Sequence, residues 1–290
     1  MSNPDQIQRI MFDELDIRGV VSGLKQTCSD CFENHDYPPV IKQVLGEMLA
    51  AVSLLSSNLK FEGRLILQAQ GQGNVRFLMA ETNQNRDVRA IARLEGDVPD
   101  NASFVELLPQ GQVVLTIEPE NGHRYQGVVP LDGENLAKCL ERYFISSEQL
   151  PTYVQLASDG EMAAGLMLQV LPAEGSGQED WERISLLAST LKSVELLELD
   201  NETLLFRLFH EETCRLYEPD PVQFKCTCSR ARSLASLKLV GKAELESLIE
   251  EEGQIDVHCQ FCNSHYRFDL ADVDALFSES GHTDDSGNVH

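Results

Sequence analysis

Phe224-Lys225-Cys226-Thr227-Cys228-Ser229-Arg230 and His258-Cys259-Gln260-Phe261-Cys262 are the two stretches on which the fold and chemistry of this chain turn. Each holds a close pair of thiols, Cys226 and Cys228 with one residue between them, Cys259 and Cys262 with two. Two such pairs, separated by the length of a small module, have metal-site spacing. Zinc takes four soft or borderline ligands in a tetrahedron, and each tight turn offers two sulfurs to one ion. The set Cys226, Cys228, Cys259 and Cys262 therefore predicts a structural zinc centre. The competing readings are four unrelated buried thiols and a dithiol site without metal. The first pair departs from the common ribbon, in which both halves are Cys-x-x-Cys. Its single spacer makes a tighter chelate and leaves two thiols close enough to join if the metal leaves.

Composition narrows the setting. The chain has 290 residues, 42% hydrophobic, with 23 Lys and Arg against 47 Asp and Glu and a net charge of −24. That charge argues against nucleic acid and against anionic membrane surfaces, because both need a cationic footprint. It favours solubility. No stretch reads as a membrane span, and Met1 to Gln6 lacks the basic start and apolar run of a secretory signal. The expectation is a cytoplasmic protein, where clustered cysteines serve as metal ligands or redox sensors more often than as structural disulfides.

Outward from the two knuckles, the chain predicts an α+β protein in three parts. Residues 1–172 read as a mostly antiparallel-sheet domain with helices. Ile7, Ile10, Met11 and Leu15 have helical spacing and predict a first helix over Asp5–Leu15, followed by a strand at Arg18–Leu24. A helix carries Cys28, Cys31 and Phe32. Another starts near Pro39 and runs to about Leu59, with Val40, Val44, Leu45, Met48, Ala51, Val52 and Leu55 on a broad core face. Strands are expected at Arg64–Gln70, Val75–Thr82, Val88–Leu94, Gln112–Ile117, Tyr125–Val129, Thr152–Leu156 and Leu166–Val170. Helices fall at Ser103–Leu108 and around Leu136–Phe144. Gly71-Gln72-Gly73 lies between two strands with no helix after it, so it reads as a turn and not a phosphate loop.

Residues 173–225 read as a helical linker. A polar stretch, Ala173–Asp180, leads into three short helices over Trp181–Lys192, Val194–Leu199 and Glu202–Glu211. This segment has 12 acidic and 5 basic side chains and is rich in Leu and Phe. It is too small to own a core and must pack on something else. Residues 226–290 form the C-terminal zinc domain, with helices at Ser229–Val240, Lys242–Glu252 and Ala271–Phe277, a strand at Tyr266–Phe268, and a polar, disordered tail from Ser278. A module of about 50 residues is near the lower limit for folding alone. Structural zinc contributes on the order of 10 kcal/mol, comparable with the stability of a whole domain, so the metal decides whether such a module folds.

A zinc-bound thiolate is already ionised and open to oxidants. Neighbours within each pair are the natural disulfide partners, and a disulfide is a poor ligand. Oxidation is therefore expected to expel zinc, unfold the module and bare apolar surface on the helical segment. Catalytic zinc is not expected, because four cysteines close the shell. His258 and His265 are spare candidates for one ligand position. Cys28 and Cys31 read as buried small residues on one helix face in preference to a redox dithiol. Cys139 reads as core, and nothing in its spacing gives Cys214 a role.

These residues resemble the redox-regulated holdase chaperones, the 33-kilodalton heat-shock protein family. The likeness rests first on Phe224–Arg230 and Cys259–Cys262. It is supported by Glu33-Asn34-His35-Asp36-Tyr37-Pro38, Arg124–Val129 and Ser147-Glu148-Gln149-Leu150-Pro151-Thr152. The resemblance implies a non-enzymatic, ATP-independent chaperone of the cytoplasm, active in oxidative stress. It implies zinc on Cys226, Cys228, Cys259 and Cys262, and on oxidation the disulfides Cys226 with Cys228 and Cys259 with Cys262. It also implies a homodimer in the oxidised state, unfolded client proteins as partners and ATP-dependent foldases downstream. Two other classes are set against it: a zinc-ribbon nucleic-acid binder, opposed by 12 acidic against 5 basic side chains in residues 226–290, and a thiol–disulfide oxidoreductase built on Cys28 and Cys31.

Overall fold

The structure is a computed structural model that describes residues 5–57, 62–131, 135–171 and 178–278. It divides into two compact units, Met1–Lys225 and Cys226–His290. In chain order the first holds β1 (Gln6–Phe12), β2 (Ile17–Leu24), α1 (Gln26–Phe32), α2 (Pro39–Ser56), β3 (Gly63–Gln70), β4 (Val75–Asn83), β5 (Asp87–Leu94) and α3 (Phe104–Leu107). It continues with β6 (Gln112–Pro119), β7 (Tyr125–Pro130), α4 (Leu136–Tyr143), β8 (Thr152–Ser158), β9 (Ala163–Val170), α5 (Gln178–Ser189), α6 (Ser193–Glu198), α7 (Asn201–Phe209), β10 (Cys214–Leu216), β11 (Asp220–Pro221) and β12 (Gln223–Phe224).

Two sheets enclose α2. The first runs β10-β1-β2-β9-β8, with β11 also on β1, and the second runs β12-β5-β4-β3-β6-β7. The pairings are antiparallel except β12 on β5. Helix α2 opens with Pro39 in its first turn, where a missing N–H costs nothing. Ile41, Leu45, Met48 and Leu49 are fully buried, and so are Ala50, Ala51 and Val52 around the rest of the cylinder. Apart from Lys42, Gln43 and Glu47 the helix is largely apolar round its cylinder, and such a helix must be covered on nearly every side. Here Val20, Leu24, Val154, Leu156 and Met167 of the first sheet share its core with Leu65, Leu67, Leu78, Val88 and Leu115 of the second. Pro39–Ser56 is long and apolar enough to cross a membrane by length and composition, contrary to the sequence expectation that no stretch reaches that mark, but 78% of it is buried within the protein.

Alternation sends the other side chains of the first sheet outward. Ile10, Phe12, Ile17, Val21, Leu166 and Leu168 meet Ile184, Ala188, Leu196, Leu204, Leu208 and Phe209 from α5–α7. Phe209 stands edge-on to Phe12 at 5.2 Å. Asp200 caps α7 by accepting from the Thr203 N–H at 2.9 Å. The outer sides of these helices keep Leu186 and Phe206 about 70% exposed. The helix expected over Asp5–Leu15 is strand β1. Both faces of its sheet are covered, so apolar side chains occur at both parities: Ile7 joins the α2 core while Ile10 and Phe12 join the other. That pattern imitates helical spacing. Gly71 does sit in a turn between β3 and β4, where a Cβ would lie 2.7 Å from the Leu108 backbone.

The return strands β10–β12, two or three residues long, carry no pattern that sequence reading could find. They tie the end of this unit to its sheets. Asp220 pairs with Arg86 at 2.7 Å, and the buried Asp87 accepts from Gln223 at 2.7 Å and pairs with Lys225 at 3.3 Å. Lys225 directly precedes Cys226. The second unit contains α8 (Arg230–Ser236), α9 (Lys242–Glu252), β13 (Ile255–His258), β14 (His265–Phe268) and α10 (Leu270–Ser278). Its core among the described residues is Leu237, Leu245, Ile255, Phe268, Val273 and Leu276. Strand β13 is likewise beyond the sequence expectation; it pairs with β14 over four residues. Most of the polar boundary at Ala173–Asp180 and nearly all of the tail from Ser278 lie outside the described residues.

Two outcomes follow from this packing. Phe209→Ala should weaken the docking of α5–α7 by about 3–5 kcal/mol. Hydrogen exchange should then rise in those helices while α2 stays protected; equal loss of protection in both would contradict separable docking. Glu47, on α2, has no carboxylate-stabilising partner among the described residues to offset burial, which pushes it up to about 7 from an ordinary 4.5. The folded state holds this proton more tightly than the unfolded chain. Stability from Glu47 is thus intact below about pH 4.5 and falls as pH rises through 7. Glu47→Gln should stabilise the protein by about 2–3 kcal/mol near pH 8 and hardly at all near pH 4, measured by urea unfolding.

Candidate metal centre

The two knuckles are built by different local means. Cys259-Gln260-Phe261-Cys262 forms the loop of the β13–β14 hairpin. The Cys259 N–H donates to Ser264 O at 2.9 Å and the Asn263 N–H to Cys259 O at 2.8 Å, with Asn263 in the left-handed region at φ 55°. Asparagine tolerates that conformation better than most residues. Cys226-Thr227-Cys228 runs into α8, whose first turn is capped by the Ser229 hydroxyl accepting from the Arg232 N–H at 3.2 Å. Arg232 donates back to Thr227 O at 2.8 Å. Arg230 fixes the exit from this knuckle: it forks onto both carboxylate oxygens of Asp272 at 2.9 and 2.6 Å, donates to Arg267 O at 3.0 Å and lies 4.8 Å over the Phe268 ring.

These supports bring the four sulfurs together. The Sγ atoms of Cys226, Cys228, Cys259 and Cys262 all lie within 4.8 Å of one another. Cys226 to Cys259 is 3.6 Å and Cys228 to Cys262 is 3.4 Å. A tetrahedron with metal–sulfur distances near 2.3 Å has edges of about 3.8 Å, so the four positions fit a single closed-shell ion. All four residues are half-buried, and none is in a disulfide. Both of these contacts run between knuckles, so proximity alone does not single out sequence neighbours as disulfide partners. His258 and His265 stack at 4.4 Å beside the site but are not among the convergent ligands, and His265 Nε2 engages Asp256 at 2.5 Å.

As free thiols the four are unequal. Burial, with hydrogen bonds from the neighbouring sulfurs, pushes Cys226 up to about 12. Burial also raises Cys259. At Cys262 burial opposes ionisation but is outweighed by hydrogen bonds from Ser264 and the adjacent thiols, which bring it down to about 7. Ser264 Oγ is 3.1 Å from Cys262 Sγ, and Tyr266 Oη is 3.1 Å from Cys228 Sγ. The hydrogen bond to Cys228, followed by burial, raises the Tyr266 phenol to about 12, so it stays a donor at neutral pH. Tyr266, Ser264 and Asp272 lie outside the sequence expectation. Alternation in the hairpin is the available signal for Tyr266; Arg230 stands in the quoted stretch without a role.

The remaining cysteines fall outside this site. Cys28 and Cys31 are buried on α1, and desolvation pushes both thiols well above the ordinary range, which suits core residues and not a reactive dithiol. Cys139 is fully buried on α4. Cys214 is half-buried in β10 and raised to about 11 by burial and by Asp13.

The family model described as Hsp33 protein matches residues 5–269. Over 297 aligned residues the chain is 48% identical to the 33 kDa chaperonin of Pseudomonas paraeruginosa, covering 100% of both. It is 45% identical to the 33 kDa chaperonin of Shewanella loihica over 280 residues, 97% of this chain and 98% of the relative. A crystal structure of the 33 kDa chaperonin from Thermotoga maritima shares the fold, with a TM-score of 0.84 at 24% identity over 95% of this chain and 99% of that one. Matched over nearly its whole length by the family model and by relatives of this closeness, the chain belongs to the Hsp33 family, a family of chaperones.

Proposed function

We propose that this protein is an oxidation-activated, ATP-independent holdase whose switch is a zinc centre on Cys226, Cys228, Cys259 and Cys262. The convergence of four sulfurs within 4.8 Å, in a unit with a small apolar core, carries this reading. An all-thiolate tetrahedral set suits zinc and leaves no position for a substrate. Bound there, zinc would hold all four sulfurs ionised and staple the two knuckles together.

Activation would run through the cysteines. One thiolate attacks the O–O bond of a peroxide, becoming a sulfenic acid and releasing hydroxide. A second thiolate displaces hydroxide from that sulfur and closes the disulfide, so two electrons pass from the sulfur pair to the peroxide. Sequence neighbours, Cys226 with Cys228 and Cys259 with Cys262, are the proposed partners, since they remain close once the unit opens. A disulfide sulfur carries no charge with which to hold a divalent ion. Without its staple the C-terminal unit would unfold, loosening the chain up to Lys225 and its anchor on Asp87. Helices α5–α7, which already expose Leu186, Val194 and Phe206, would then release the Ile10, Phe12, Leu166 and Leu168 face of the first sheet for unfolding clients. Dimerisation in the oxidised state, transfer of clients to ATP-dependent foldases and action in the cytoplasm belong to the same proposal.

The reduced protein should bind one zinc per chain. Peroxide at mildly raised temperature should release zinc in step with protection of a heat-unfolded client from aggregation. Cys259→Ser with Cys262→Ser should uncouple the two. Zinc release without client protection would reduce the centre to a purely structural role. The Tyr266 hydroxyl donates to the Cys228 thiolate and draws charge from it. Tyr266→Phe should therefore release zinc faster under peroxide, by up to about tenfold, as expected for the loss of one hydrogen bond to a charged acceptor. An unchanged rate would show that Tyr266 only packs.

A further inference from the structure

The layer between the two sheets is filled by α2 along most of its length, but a gap remains where that helix ends. A cavity of about 200 Å³ lies there. Its walls are Leu55 from the last turn of α2, Leu65, Leu115 and Ile117 from the second sheet, and Phe144 and Leu150 from the segment between α4 and β8. The first sheet closes it with Arg18 and Gln169. Alternation explains their presence. Arg18 has the parity of Val20, and Gln169 that of Met167, both of which face the α2 core. The chain thus places a guanidinium on a face that is otherwise largely apolar.

Among the described residues that guanidinium has no counter-charge. Its side-chain contact is the neutral Gln169 Oε1 at 2.5 Å, and Gln169, 1% exposed, is itself held by Thr152 at 3.0 Å. No carboxylate pairs with Arg18 among the described residues, whereas other arginines of the first unit, such as Arg64, Arg76, Arg86 and Arg89, each have one. The nearby acid in the wall, Glu148, is exposed and accepts from the Tyr143 hydroxyl at 3.0 Å. Partial burial pulls Arg18 below its ordinary value. A guanidinium has five donors in a fork that matches a carboxylate. A cavity of ~150 Å³ lined by aliphatic and aromatic groups already takes up a benzene ring.

We propose that this cavity binds a small carboxylate with a short apolar tail, its carboxylate on Arg18 and its tail among Leu55, Leu65, Leu115, Ile117 and Phe144. The site lies wholly in the first unit and shares no residue with the cysteine centre.

Isothermal titration of the reduced full-length protein with hexanoate, 1-hexanol and acetate tests this. Hexanoate should bind saturably, and 1-hexanol and acetate at least tenfold more weakly, since each lacks one half of the recognition. Arg18→Gln should weaken hexanoate at least tenfold. Ile117→Phe, which fills the cavity and leaves Arg18 in place, should do the same. Circular dichroism establishes that both variants are folded, and Arg18→Lys, keeping the charge, should retain part of the affinity in case Arg18→Gln does not fold. Equal binding of hexanoate and 1-hexanol, undiminished binding by either folded variant, or no saturable binding to the wild type would overturn the proposal.

Discussion

Four sulfurs held within 4.8 Å of one another can all be ionised only with a cation among them. Like charges at that spacing repel by several kcal/mol per pair in a half-buried setting. That constraint governs the C-terminal unit. Its apolar core is slight, and in the proposed reading its order would depend on the knuckles and on the ion held between them. The hairpin loop, the cap at Ser229 and the fork of Arg230 onto Asp272 all aim sulfur at one point. Ligands that are thiolates are also the groups most readily oxidised. In the proposed switch, one chemical choice would give both the staple and its weakness.

The first unit is organised by a different constraint. Helix α2 is apolar over most of its surface and needs two sheets to cover it. The first sheet in turn presents a second apolar face, which α5–α7 cover. These helices are short, acidic and still expose Leu186 and Phe206. They bury enough to dock but present apolar groups on both sides. In the proposed mechanism this is the layer that would uncover a surface. The short strands β10–β12 close the unit just before Cys226, with Asp87 and Asp220 receiving the cations Lys225 and Arg86.

The same layering leaves Arg18 stranded. A strand cannot choose its faces residue by residue, because alternation fixes them. A polar residue at an inward position must find a partner or line a space. Gln169 satisfies one donor of Arg18, and the end of α2 leaves room for something more.

Much is legible in the sequence because it rests on local physics. The spacing of Cys226 and Cys228 against Cys259 and Cys262 is enough to pick out the four cysteines whose sulfurs converge. Alternation and turn residues mark most strands, and the apolar run after Pro39 marks the core helix. Local pattern misleads at Asp5–Leu15, where a strand covered on both faces mimics a helix. It is silent at β10–β13, whose few residues form strands only because partners lie beside them. Tertiary structure alone decided that α2 is sandwiched between sheets, that Tyr266 reaches Cys228 and that Arg230 finds Asp272 forty-two positions away. It alone decided that Arg18 faces a cavity. Side-chain periodicity is a property of the chain, but partners and empty space exist only once distant segments have met.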